Sequence, residues 1–344
     1  MKYNPFGLDI GANSIKAVWL SEQKSGYQLL AALTLPTPSK GMLSESPLDQ
    51  EEMVQAIKKI VTDGKITSQY VNIALPENQV YTRVLEMPIL SDKELSSAIY
   101  WEAEQYIPVP LQNVTLDWKV LQRPANSSGE TKMEVFLVGA PTSLIDKYQK
   151  VLMMSGLTIS SIETEIISII RALASSNKFP NSLILNIGAV STSLAIIKEN
   201  VIVFTYSISI GGIAINRAIA TDFGFTMSQA EEYKRAYGIS QDTLGGKIGQ
   251  ATAPVITSIV VEVKKALALY NEKYKDAAPI QQILLCGGTA KLPGIDLFFA
   301  KNCGVETVIA NPWNILASQQ VPKEILDNAV DYTIAVGLAM RNYE

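Results

Sequence analysis

The segment Phe6–Leu20, FGLDIGANSIKAVWL, reads as strand, tight polar turn, strand, and a near copy lies half a chain later at Ser182–Ile197, SLILNIGAVSTSLAII. Laid over each other, the copies match Leu8 with Leu185, Ile10 with Ile187, Gly11 with Gly188, Ala12 with Ala189 and Ser14 with Ser191. A supersecondary unit used twice limits the fold to two similar α/β halves. Two such hairpins facing each other imply a cleft.

The residues of each hairpin indicate the chemistry. An apolar strand delivers a carboxylate, Asp9, or its amide, Asn186, and a glycine two residues on lets the chain turn sharply. The amides of Gly11, Ala12, Asn13 and Ser14, and those from Gly188 to Thr192, can point at one anion as a backbone nest. Hydroxyls of Ser14, Ser191 and Thr192 add donors, and Lys16 adds positive charge where the second strand begins. Either copy alone also reads as a plain hairpin turn. The duplication favours two phosphate cradles around a nucleotide.

At 344 residues the chain exceeds one ordinary core. With 47% apolar and 18% charged residues it is globular rather than disordered. A net charge of -4 without a basic run argues against nucleic acid. The absence of histidine removes Ser-His-Asp and Cys-His catalysis and the common zinc ligand sets. Cys286 and Cys303 are too few for a disulfide framework, so a reducing compartment is expected. The start lacks a signal-peptide pattern, and the most apolar region, Val201–Ala220, is interrupted by Gly211-Gly212, Asn216 and Arg217, so a soluble, cytoplasmic protein is expected.

Along the chain, a helix after Ser46-Pro47 with Met53, Ile57, Ile60 and Val61 on one face leads to a strand at Val71–Leu75. From about 81 to 162 the pattern is strand, helix, strand, strand, helix, strand, read as an inserted small α/β subdomain. Its first helix opens on the capping box Ser91-Asp92-Lys93-Glu94, and PANSSGET has the composition of an exposed mobile loop. Trp101 and Trp118 read as packing residues. Gly211-Gly212 stands directly before a helix, whose free amides favour a phosphate. Thr226 with Gln229 caps the next helix, on which Glu231 and Lys234 are neighbours, a spacing that also suits a solvated ion pair. A long helix over Ala253–Tyr274 follows, then a buried strand running into Gly287-Gly288-Thr289 and Leu292-Pro293-Gly294, where a flat base can lie against bare backbone.

The two hairpins and LLCGGTAKLPG at Leu284–Gly294 resemble the phosphate-1, phosphate-2 and adenosine motifs of the actin, Hsp70 and sugar-kinase ATPase superfamily. Arg83 with Met87-Pro88, AIYWEAEQYIPVPL at Ala98–Leu111, LDW at Leu116–Trp118, VGAP at Val138–Pro141 and IETE at Ile162–Glu165 narrow the resemblance to the FtsA-related PilM family of type IV pilus assembly. Asn311-Pro312-Trp313 and the closing helix Tyr332–Arg341 extend it over essentially the whole chain.

The resemblance implies an actin-like (ribonuclease H-like) two-domain ATPase fold, with residues 1–180 and 311–344 in the first domain, the insert at about 81–162, and 181–310 in the second domain with a small subdomain at about 226–254. It implies ATP or ADP with Mg²⁺, the ion near Asp9 and, through water, Asn186. The hairpins then hold the phosphates, while Gly211, Gly212, Asn216, Glu231, Lys234, Gly287, Gly288, Thr289 and Leu292 hold ribose and adenine. Asn216 stands where the family usually has Thr, and Asn186 where the superfamily usually has Asp. Since an amide carries no charge and cannot act as a base, binding with slow or absent hydrolysis is expected. Glu165 is the candidate to orient water, although a carboxylate at a helix N-terminus also suits its position.

The implied role is a nucleotide-responsive scaffold of the pilus inner-membrane platform, recruiting the N-terminal tail of a PilN-like membrane protein in a groove between first domain and insert. Further implied partners are other platform and motor proteins, with self-association. The alternatives are an FtsA/MreB-like filament former, a small-molecule kinase and an Hsp70-like chaperone. The chain stops at Arg-Asn-Tyr-Glu without the membrane helix of FtsA-type chains, and it shows no catalytic Asp base for a kinase.

Overall fold

The computed structural model describes residues 4–24, 26–124, 131–174, 179–240, 246–317 and 321–341. Most of PANSSGET lies outside the described residues.

The first half builds a five-stranded sheet from β1 (Phe6–Ile10), β2 (Ser14–Gln23), β3 (Gly26–Pro36), β4 (Tyr70–Leu75) and β8 (Thr158–Thr164), in the order β3-β2-β1-β4-β8. β1, β2 and β3 form an antiparallel meander, whereas β4 runs parallel to β1 and β8 parallel to β4. The second sheet repeats the plan with β9 (Ser182–Ile187), β10 (Thr192–Lys198), β11 (Val201–Ile208), β12 (Gln282–Cys286) and β13 (Glu306–Ile309), in the order β11-β10-β9-β12-β13. Strand directions match pair by pair. The duplication inferred from the hairpins therefore extends to both whole sheets. Every residue of β1 and β9 is buried, as expected for strands covered on both faces, which is why they read as nearly continuous apolar runs.

Between β4 and β8 the chain forms β5 (Tyr81–Pro88), β6 (Val114–Gln122) and β7 (Lys132–Pro141), an antiparallel sheet ordered β5-β7-β6. With helix α2 (Asp92–Tyr106) it closes a small core of its own around Leu85, Leu95, Ile99 and Val135. The expected insert to 162 is too long. Helix α3 (Thr142–Met154) packs Tyr148, Val151 and Leu152 into the first domain's core beside α1 (Pro47–Asp63), and β8 completes the first sheet. The inserted sheet thus ends at Pro141. Both expected capping boxes are present, Ser91 with Glu94 on α2 and Thr226 with Gln229 on α6 (Met227–Tyr237). Trp118 packs at the edge of the small core, whereas Trp101, read as a packing residue, is 71% exposed on the outer face of α2.

The second domain's core gathers α5 (Gly212–Phe223), α6, α7 (Lys247–Lys273) and α8 (Ile295–Cys303) around its sheet. Helix α7 begins six residues before its expected start and carries Pro254 inside it. Burial of Ile248, Ala251 and Thr252 ahead of the proline compensates for the backbone bond that proline removes.

Two helices join the halves. α4 (Glu165–Leu173) sends Ile166 and Ile169 into the second domain's core and Ala172 into a cluster with β2. After the four-residue helix α9 (Lys323–Leu326), helix α10 (Thr333–Met340) returns to the first domain, contributing Ala335, Val336 and Ala339 to that cluster. The two helices cross so closely that a Cβ on Gly337 would lie 1.8 Å from the Ser168 carbonyl oxygen. Arg171 fastens the crossing by bonding both oxygens of buried Glu163 at 2.6 and 2.9 Å and the Gly337 carbonyl at 3.1 Å, and Arg341 adds a 2.9 Å bond to Glu163.

Candidate nucleotide cleft

The two hairpin turns are locally equivalent. The Gly11 amide donates to the Ser14 carbonyl at 3.1 Å, and the Gly188 amide to the Ser191 carbonyl at 2.9 Å. Across each ladder the same positions pair: Asp9 opposes Lys16, and Asn186 opposes Ser193. In the first hairpin this is an ion pair, Lys16 Nζ to Asp9 Oδ2 at 3.1 Å, with both side chains largely buried. In the second it is neutral, Asn186 Nδ2 donating to Ser193 Oγ at 3.4 Å. One geometry is thus built twice, charged once.

Both turns open on a cavity of about 440 Å³. The residues singled out from the sequence that line it are Asp9, Gly11, Ala12, Asn13, Ser14, Lys16, Glu165, Asn186, Gly188, Ser191, Gly212, Glu231, Lys234, Gly287, Gly288, Thr289 and Leu292. Gly211, Thr192 and Asn216 stand behind the wall. Thr192 is fully buried and its hydroxyl donates to the Ile210 carbonyl at 2.7 Å, bracing the hairpin rather than facing a ligand. The Asn216 amide donates to Glu231 Oε2 at 2.7 Å and so orients a lining residue.

The start of α5 also differs from expectation. Its first amides are not free: Gly212 N–H donates to the Gly188 carbonyl at 2.9 Å and Ile213 N–H to the Ala189 carbonyl at 2.8 Å. The glycine pair docks the helix onto the second turn. Thr289 adds a 3.3 Å bond from its hydroxyl to the same Gly188 carbonyl, tying the GGT segment to that turn.

Glu231 is the polar hub of the far wall, accepting from Lys234 at 2.6 Å, Arg235 at 2.6 Å and Asn216. Burial works against its charge, but these donors prevail and hold its pKa down at about 2. On the near wall burial likewise opposes the Lys16 charge, and Asp9 more than offsets it, so the ammonium ends above the ordinary lysine value. Glu165 opens α4 at the cleft, where burial together with the negative charges of Asp9 and Glu77 pushes its pKa up to about 8. Glu77 is buried behind it, accepting from Thr82 Oγ1 at 2.8 Å and the Ile166 amide at 3.4 Å.

Among the described residues no group of three His, Cys, Asp or Glu is placed to hold a metal ion by itself. The Asp9 carboxylate and the Asn186 amide nevertheless line one cavity with Lys16 as the near cation, a set that suits a hydrated Mg²⁺ arriving with phosphates. Asp9 would face that ion and Asn186 would bond its waters.

Sequence reasoning missed residues in the floor. Lys291 bonds Asp331 Oδ2 at 2.5 Å and Asn328 Oδ1 at 2.9 Å, joining the GGTAKLPG segment to the stretch before α10. Asp331 Oδ1 is buried without a partner. Lys291 lies inside a motif already singled out, whereas nothing local marks Asp331. Tyr148, on α3, also lines the cavity and was hidden as one apolar-face residue of that helix.

Two repeated sheets with paired polar turns around one interdomain cavity define the actin-like ATPase class, and known structures agree. The chain matches the PilM–PilN type IV pilus biogenesis complex with TM-score 0.84, 26% identity and full coverage of both chains. It matches the ethanolamine utilization protein EutJ of Carboxydothermus hydrogenoformans with TM-score 0.59, 15% identity, and coverage of 98% of this chain and 89% of that one. It matches MreB5 of Spiroplasma citri bound to AMPPNP with TM-score 0.53, 16% identity, and coverage of 96% and 93%. In sequence it is 21% identical to the cell division protein FtsA of Streptococcus pneumoniae, over 84% of this chain and 71% of FtsA. The model of the type IV pilus assembly protein PilM family matches residues 7–343, and the chain belongs to that family.

Proposed function

We propose that the chain is a nucleotide-binding scaffold of a type IV pilus assembly platform, peripheral at the cytoplasmic face of the membrane, that takes the N-terminal cytoplasmic segment of a PilN-type protein. The observation that carries the nucleotide part is the pair of equivalent turns opening on one cavity. The phosphates of ATP or ADP sit between Gly11–Ser14 and Gly188–Ser191, with Lys16 as counter-charge. Ribose and base lie against Gly287-Gly288 and the Glu231–Lys234 wall. Mg²⁺ bound with the phosphates supplies charge neutralisation next to Asp9.

The partner part rests on family membership and on an open groove of about 530 Å³ lined by Glu45, Gln79, Pro141, Ser143, Leu144 and Lys147, where the first domain meets the end of the insert. No helix among the described residues is long and apolar enough to cross a membrane, which fits attachment through a partner. Turnover is slow, because Asn186 brings no charge to the second turn and its amide cannot act as a base.

Titration calorimetry with Mg-ATP, and separately with a synthetic PilN-type N-terminal peptide, tests both parts. Micromolar or tighter binding of each is expected, with phosphate release below one turnover per minute. Failure of Mg-ATP and Mg-ADP to bind overturns the nucleotide reading, and failure of the peptide alone overturns the partner reading.

A further inference from the structure

The inserted sheet is joined through the chain only to the first domain, yet its edge strand β5 lies beside β11, the edge strand of the second domain's sheet. Side chains at the end of α7 tie the insert to the second domain. Glu86 of β5 and Glu134 of β7 are directly opposite in their ladder, and like charges so placed destabilise a sheet. Much of the compensating charge comes from the other domain: Lys273, at the end of α7, bonds Glu86 at 2.5 Å and lies 3.9 Å from Glu134. The Tyr274 hydroxyl donates to Glu134 at 3.4 Å, and Lys132 of β7 bonds the second oxygen of Glu86 at 3.2 Å. The insert's electrostatics are therefore completed by the second domain.

The far ends of these elements reach the two binding sites. α7 is 27 residues long, about 40 Å at helical rise, and packs along α5 and along α6, which carries Glu231 and Lys234. At the root of the insert, Glu77 bonds Thr82 of β5 and the first turn of α4, next to Glu165. Two residues further on, Gln79 lines both the cleft and the groove.

We propose that the Lys273–Glu86–Glu134 clasp makes the insert a strut between the two domains, so that closure of the cleft on a nucleotide and the width of the groove change together. This rests on the functional reading above and assigns the route by which nucleotide state reaches the partner segment. The clasp is partly exposed, so each of its bonds is weak and can be broken and remade as the domains move.

The test measures the affinity of the PilN-type peptide with and without Mg-ATP, after each ligand has been titrated alone. In the unaltered chain the nucleotide shifts peptide affinity by about fivefold to tenfold. In Lys273→Ala each ligand still binds alone and the shift falls below about twofold. Lys273→Arg, which keeps the charge, retains it, and hydrogen exchange along β5 is faster in Lys273→Ala than in the unaltered chain or Lys273→Arg. A full shift in Lys273→Ala, or no shift in a chain that binds both ligands, overturns the clasp. Failure of either ligand to bind alone removes the functional reading first, and the single titrations reveal that separately.

Discussion

Gly287 and Gly288 are adjacent, and the structure assigns them different requirements. Gly287 has φ +80° and ψ 165°, a region closed to other residues, and a Cβ there would lie 2.6 Å from both Asn186 Oδ1 and the Ile187 carbonyl oxygen. Strain of about 1–3 kcal/mol and a similar overpacking cost put Gly287→Ala at roughly 3 kcal/mol of lost stability. Gly288 opens a 3-10 turn, is exposed to the cavity, and its Cβ would meet only Asp331 Oδ1 at 3.5 Å. Gly288→Ala should therefore fold with stability within about 0.5 kcal/mol of the original, since the smaller entropy of the unfolded alanine chain favours it. Its methyl group would nevertheless occupy the surface against which we propose the nucleoside lies, and about tenfold weaker nucleotide binding, near 1.4 kcal/mol, is expected. Urea unfolding midpoints and titration of a fluorescent ATP analogue on both variants give the four numbers needed. Unchanged nucleotide affinity in Gly288→Ala would refute the placement of the nucleoside, and unchanged stability in Gly287→Ala would refute the backbone argument.

Arg171→Ala leaves buried Glu163 with only the partly exposed Arg341, and a loss of about 3–5 kcal/mol is expected in urea unfolding, against about 1 kcal/mol for Arg341→Ala. Glu165 has its pKa raised from 4.5 to about 8, so the folded state binds the extra proton between those values and stability falls as pH rises through that window. Glu165→Gln should flatten that part of the stability profile and be the more stable protein above pH 8. Glu231, depressed to about 2, contributes stability that is fully present above about pH 4.5 and lost as pH falls toward 2. Glu231→Ala should abolish that acid limb and, by leaving the buried Lys234 ammonium without its 2.6 Å partner, cost about 2 kcal/mol at neutral pH.

The duplicated hairpins carried most of the architecture, because a strand buried on both faces and a turn with fixed glycine positions are local patterns that reappear when the unit is copied. Capping boxes at Ser91 and Thr226 were legible for the same reason: three-residue spacing is local. The limit of the insert was not. Residues 142–164 form a helix and strand whether they join β5-β7-β6 or β4, and only the pairing of β8 with β4, across some eighty residues of chain, decides it. The start of α7 was misplaced because a proline normally marks a first turn, and burial of Ile248 and Ala251 overrode that preference. In the site, most of the lining came from motif glycines and polar residues. Lys291 and Asp331 are forty residues apart, and their meeting depends on α10 returning to the first domain. The bonded amides of Gly212 and Ile213 were equally hidden, since a Gly-Gly step before a helix reads the same whether its amides face a ligand or a neighbouring turn.

The most direct test of the central claim is a crystal structure of the chain grown with Mg²⁺ and a non-hydrolysable ATP analogue. Phosphate density between Gly11–Ser14 and Gly188–Ser191, with the base against Gly287-Gly288, is the predicted result. A cleft without nucleotide at saturating analogue, or nucleotide bound away from both turns, would contradict it.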